Sequence, residues 1–186
     1  MTPMKILALS GSLRRDSINS AFCRATAVLA PPEVRVQVYT GLGEIPLFNP
    51  DLEASPPAAV RHLRSAIGDA DALIIASPEY AHGISGVMKN ALDWLVSHEP
   101  TVRKPAALVN TSPRAHHAYE ALREILATMS VDIVGSASMT VPLLGTCTTE
   151  PEMVASPLVS RAIREIIGAL VLHVCGHDAS SASFPM

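Results

Sequence analysis

The chain has 186 residues, 48% of them hydrophobic and 17% charged, with a formal net charge of -3. That length fills one core and is too short for two ample domains, so a single domain over 1–186 is expected. The weak acidic balance leaves no basic footprint for nucleic acid, and no stretch reaches the ~18 consecutive apolar residues of a membrane span. The three cysteines, Cys23, Cys147 and Cys175, follow no disulfide spacing and suit a reducing compartment. The first apolar run breaks at Ser10-Gly11-Ser12, too soon for a secretory signal, so the expected location is the cytoplasm.

Lys5-Ile6-Leu7-Ala8-Leu9 reads as a buried strand, and Ile18, Ala21, Phe22, Ala25 and Leu29 recur at helical spacing. Between them lies Ser10-Gly11-Ser12-Leu13-Arg14-Arg15-Asp16-Ser17, a hydroxyl-rich loop running into a helix that begins near Ser17. Unpaired N–H groups at a helix start carry partial positive charge and suit an anion. Ser12, Ser17 and Asn19 can add neutral donors, and Arg14 can add a fork that matches phosphate oxygens. The loop has neither the Gly-x-Gly-x-x-Gly spacing of a pyrophosphate turn nor a Gly-Lys-Ser/Thr ending, so a terminal phosphate monoester fits best. The same residues also read without a ligand, with Ser17 as a helix cap and Arg14 as a solvated charge.

Val34 to Tyr39 alternates like a strand at a sheet edge. Gly41 to Pro57 is a long proline-rich segment, of the kind that covers a site or an interface. Val60, Leu63 and Ile67 mark a second helix, and Asp71 to Ala76 is the most continuously apolar strand and is placed centrally. It leads into Ser77-Pro78-Glu79-Tyr80-Ala81-His82-Gly83, then a helix traced by Ile84, Val87, Met88, Ala91, Leu92 and Leu95. Pro78 stiffens the turn, Glu79 reads as a structural hydrogen-bond partner, and Tyr80 offers a ring for a planar ligand or a cap on the core rim. Ser85 misses a Gly-x-Ser-x-Gly elbow by one place and reads as a helix start. The single tryptophan, Trp94, is a candidate anchor for a subunit contact.

Ala106 to Asn110 is a fourth strand, followed by the loop Thr111-Ser112-Pro113-Arg114 and a helix over Ala118 to Met129. Val131 to Val141 is expected as a fifth strand, Pro142 to Pro157 as a second long loop, and Leu158 to Leu170 as the last helix. His173-x-Cys175-x-His177 with Asp178 has ligand-like spacing but no further ligands, so no metal is expected, and the tail after 177 reads as disordered. Strands alternating with helices imply an α/β fold, a doubly wound five-stranded parallel sheet with helices on both faces. Order 2-1-3-4-5 would bring the ends of strands one and three together at the switch point, where such sheets bind ligands. The two most chemically loaded loops follow those two strands, which favours the cradle.

Leu9-x-Gly11-Ser12-x-Arg14-x-x-Ser17-x-Asn19, together with Pro78-Glu79-Tyr80 and Gly86-Val87-Met88-Lys89-Asn90-Ala91-Leu92-Asp93-Trp94, resembles the two signatures of the NADPH-dependent FMN reductases. The resemblance implies a flavodoxin-like fold and an FMN whose phosphate sits among Ser12, Arg14, Ser17 and Asn19, aided by the Ile18 amide. It further implies Pro78, Glu79, Tyr80 and Ala81 beside the ring and ribityl chain, with Ser112 approaching from the third loop. NAD(P)H as co-substrate, a small-molecule electron acceptor such as a flavin or quinone, and a homodimer or homotetramer are implied too. No side chain need act as acid or base, because the flavin carries the chemistry. The alternative is a flavodoxin-type electron carrier or an FMN-binding interaction protein without NAD(P)H turnover. Many members of the family read Asn-Gly-Ser where this chain has Ala81-His82-Gly83, and a glycine pair where it has His116-His117.

Overall fold

In a computed structural model, residues 2–141, 143, 145 and 147–181 are described, with side chains up to 176. Strands β1 (Met4–Ser10), β2 (Val34–Tyr39) and β3 (Ala72–Ala76) lie in one parallel sheet. A short antiparallel hairpin, β4 (Glu79–Tyr80) and β5 (Gly83–Ile84), stands apart from it. The main sheet continues through β6 (Pro105–Asn110) to β7 (Asp132–Ile133), in the order β2-β1-β3-β6-β7, with β8 (Met139–Thr140) also on β6. β3 is central and buried throughout, as its unbroken apolar run implied.

Side chains of successive strand residues point to opposite faces, and the helices cover both. Ile6 and Ala8 of β1 face α1 (Ile18–Leu29) and α6 (Pro157–Ser181), in a core with Phe22, Ile163, Ile166 and Leu170. Leu7 and Leu9 face α2 (Ala58–Asp69), α3 (Gly86–Asp93) and α4 (His116–Thr128), in a core with Leu63, Met88, Trp94, Leu122 and Leu126. The parallel strands therefore deliver the loops after β1, β3 and β6 to one edge.

Several elements differ from the sequence reading. The expected fifth strand is interrupted: β7 and β8 flank a 3-10 turn at Gly135–Ala137. There Ser138 Oγ replaces the backbone, accepting from Leu108 N (3.0 Å) and donating to Val134 O (2.9 Å). The second long loop contains a short helix, α5 (Glu150–Ala155), started by Glu152 accepting from the N–H groups of Thr148 (2.9 Å) and Thr149 (3.0 Å). Thr149-x-x-Glu152 is the sequence signature of that start. Helix α6 runs to Ser181, so the tail expected after 177 overlaps it and otherwise lies outside the described residues.

Trp94 is fully buried and holds its own chain together, which removes it as a subunit anchor. Its indole N–H donates to Pro46 O (2.8 Å), and Phe48 packs edge-on at 5.0 Å. Asn90 Oδ1 accepts from Phe48 N (2.8 Å), so the 41–57 segment is fastened to α3. A tryptophan satisfies both needs because its body is apolar and its one donor lies at the edge.

Candidate functional site

The loop after β1 is shaped by small residues and hydroxyls. Gly11 N donates to Ala76 O (2.8 Å), drawing the chain across the end of β3. A Cβ on Gly11 would lie 2.5 Å from Ser77 Oγ and 2.9 Å from Ser85 Oγ, so only glycine permits this approach. Ser10 Oγ and Ser20 Oγ share a 2.8 Å hydrogen bond, and Arg14 N donates to Ser12 Oγ at 3.3 Å. Ser17 caps α1 by accepting from Ser20 N (3.2 Å), so the capping reading of Ser17 holds. The cap leaves the N–H groups of Ile18 and Asn19 with no acceptor among the described residues.

Asn19 is fixed by a buried bond from Thr111 Oγ1 to its Oδ1 (2.8 Å), which leaves its NH₂ as the available donor. Asn110 holds the loop after β6 by accepting from Ser112 N (3.0 Å) and donating to Ala115 O (3.4 Å). Among the described residues Arg14 has no carboxylate partner, and neither does Arg114.

Past Pro78 the hairpin turns through Ala81 (φ 49°) and His82 (φ 61°), both left-handed. A two-residue loop with positive φ at both positions matches the twist of its strands, and Asn-Gly meets it more cheaply than Ala-His. Glu79 accepts from Ala118 N (2.9 Å), three residues into α4, where Ala115 supplies no side-chain cap. Its other oxygen lies 3.4 Å from His82 Nδ1. The Ala118 N–H is the main cause holding the Glu79 carboxyl below its usual range. Desolvation opposes it, and His117, His82 and His116 add to it. The three imidazoles form an exposed group, with ring centroids 4.6 Å apart for His82 and His117 and 4.1 Å for His116 and His117.

These loops enclose an open cleft of about 410 Å³, within the range of small-molecule sites. Ser12, Arg14, Ser17, Ile18, Asn19, Pro78, Glu79, Tyr80 and Ser112 all line it. Ala81 does not; it sits at the hairpin turn. Asp16, Ser77, Asn110, Thr111, Arg114 and Ala115 line it as well, and the sequence reading had not assigned them. A second free arginine after a parallel strand, Arg114, was the signal available for that third loop. Among the described residues no group of three His, Cys, Asp or Glu is placed to hold a metal ion. His173 is engaged instead with Asp132, at 2.6 Å, while the side chains of His177 and Asp178 lie outside the described residues.

An NAD(P)H-dependent FMN reductase of Pseudomonas aeruginosa is 41% identical over 112 residues, 59% of this chain and 60% of that protein. A 2-hydroxy-1,4-benzoquinone reductase of a Burkholderia species is 39% identical over 114 residues, 59% of this chain and 61% of that one. The chain thus spans about 60% of the length of these curated relatives. The flavoenzyme NAD(P)H:(acceptor) oxidoreductase FerB of Paracoccus denitrificans superposes with a TM-score of 0.75 at 24% identity, covering 94% of this chain and 98% of that one, which shows the shared flavodoxin-like fold. The profile of the NADPH-dependent FMN reductases matches residues 4–143. That match takes in β1 to β8 and every loop that frames the cleft, and by it the chain belongs to the NADPH-dependent FMN reductase family.

Proposed function

We propose that the protein is an FMN-dependent NAD(P)H oxidoreductase that delivers reducing equivalents to a flavin, quinone or similar small acceptor. The observation that carries this reading is the two-ended cleft. Donors without acceptors converge at the start of α1, and a proline-stiffened hairpin bearing Tyr80 stands opposite. The residues present fit FMN. Ser12, Ser17, the N–H groups of Ile18 and Asn19, and the unpaired Arg14 match a phosphate monoester. Gly11 removes the side chain that would fill the approach.

When bound, FMN would supply the hydride chemistry between NAD(P)H and the acceptor. The protein's part is to bind and orient. Thr111 keeps the Asn19 amide turned so that its NH₂ is the free donor. Glu79, committed to Ala118 N, fixes the hairpin against α4 and is not a free acid or base. Pro78, Glu79 and Tyr80 would border the ring, with Ser112 on the third side. One cleft serving both substrates in turn gives ping-pong kinetics, with parallel initial-rate lines.

The test is spectroscopic. Purified or FMN-reconstituted protein should be yellow, and anaerobic NADPH should bleach it. Protein that takes up no flavin contradicts the reading, and flavin that stays oxidised under NADPH and NADH favours the electron carrier. We also propose a homodimer or homotetramer in the cytoplasm. Leu47 (84% exposed) and Val96 (62% exposed) leave apolar surface beside the segment fastened by Trp94, and the three cysteines are free thiols. Light scattering that gives a monomer at micromolar concentration would contradict the assembly.

A further inference from the structure

On the far side of the 11–17 loop lies a second cavity of about 340 Å³, between the end of β2 and the first turns of α1. Ser12 and Arg14 line both cavities, so this loop is the wall between them. The second cavity is completed on its polar side by Arg15, Ser20, Arg24 and Thr40, and no carboxylate lines it. Arg24 gives its Nε to Glu150 (3.1 Å), and its terminal NH₂ groups have no hydrogen-bond acceptor among the described residues. Among the described residues Arg15 has no ion-pair partner, and it lines this cavity and not the main cleft. Arg24 is thus already balanced by Glu150, whereas Arg15 brings an uncompensated guanidinium beside the cavity's hydroxyls, a fork suited to phosphate oxygens.

We propose that this cavity is a second phosphate subsite, that it takes the 2′-phosphate of NADPH, and that Arg15 is the residue by which the protein distinguishes NADPH from NADH. The inference rests on the reductase reading. A dinucleotide whose nicotinamide enters the main cleft must extend beyond it, and only NADPH carries a phosphate monoester on its adenosine end. Arg14, at the wall, is occupied by the phosphate of the main cleft, which leaves Arg15 and Arg24 for the second.

The test measures binding of 2′,5′-ADP and 5′-AMP to flavin-loaded protein by calorimetry at fixed ionic strength. The wild type should prefer 2′,5′-ADP by about tenfold or more, the effect of one charge-assisted contact. Arg15→Ala should abolish most of that preference without changing 5′-AMP binding, and Arg15→Lys should keep part of it. Failure of 2′,5′-ADP to bind, equal affinity for the two nucleotides, or a preference unchanged in Arg15→Ala would overturn the assignment. So would inorganic phosphate competing as well as 2′,5′-ADP, which would mark a free-anion site. The visible spectrum of the same samples separates the two failures. Protein that never takes up FMN contradicts the reductase reading, whereas flavin-loaded protein indifferent to the 2′-phosphate contradicts the subsite.

Discussion

At the α1 end of the cleft, polar groups are set mainly by near neighbours in sequence: Ser17 caps Ser20, Ser12 holds Arg14 N, and Ser10 meets Ser20. At the hairpin end, Glu79 reaches an amide 39 residues away, and the turn itself is left-handed at two residues with side chains. The first arrangement suits an anchor, because short-range bonds hold the donors in place before a ligand arrives. The second retains backbone strain and three exposed imidazoles beside the opening, features of a region open to variation in what it admits.

The comparison breaks most visibly at Gly11. Gly11→Val should lose about 3 kcal/mol in denaturant unfolding, the upper end of an overpacking penalty, and should lose flavin binding with it. Unchanged stability would mean that Ser77 and Ser85 move aside freely. Next comes the long-range side-chain bond at the anchor. Thr111→Val leaves Asn19 Oδ1 buried without its partner, which should cost about 1.5 kcal/mol and weaken FMN more than riboflavin. At the hairpin the sign reverses: Ala81→Gly relieves a left-handed alanine and should raise stability by about 1 kcal/mol. A loss there would show that the Ala81 side chain has a packing role.

The smallest effect concerns pH. The Glu79 carboxyl is depressed in the folded protein, so its contribution is present above the ordinary glutamate range near pH 4.3 and is lost as pH falls through the depressed value. Glu79→Gln should therefore lower the melting temperature by a few degrees at pH 6–7 and by progressively less as the pH is lowered below about 4. A deficit that stays constant down to the acid limit would assign the effect to shape rather than charge.

What was legible in the sequence follows the same division. The burial of β3, the Ser17 cap and the Ser85 helix start are written in local periodicity and in residue types at helix starts, and the strand order follows from the right-handed crossovers of alternating strands and helices. Thr149-x-x-Glu152 is an equally local signal, but it stands within the 142–157 stretch that reads as a long loop. Ser138 entering the ladder of β6, Trp94 bonding to Pro46 and Thr111 orienting Asn19 depend on pairs brought together only by the fold. Trp94 shows the limit best, since a lone tryptophan has the same composition signal whether it faces a partner or its own core.

The most direct measurement of the account is a titration of FMN and riboflavin into apoprotein of wild type and Arg14→Ala, at fixed ionic strength. A hydrogen bond to a charged group is worth about 1.5–3 kcal/mol, so loss of the arginine should weaken FMN roughly ten- to a hundredfold. Riboflavin, which lacks the phosphate, should bind nearly as before, and the difference for FMN should shrink as salt is raised. Equal losses for both flavins, or no loss for either, would contradict the placement of the FMN phosphate at the start of α1.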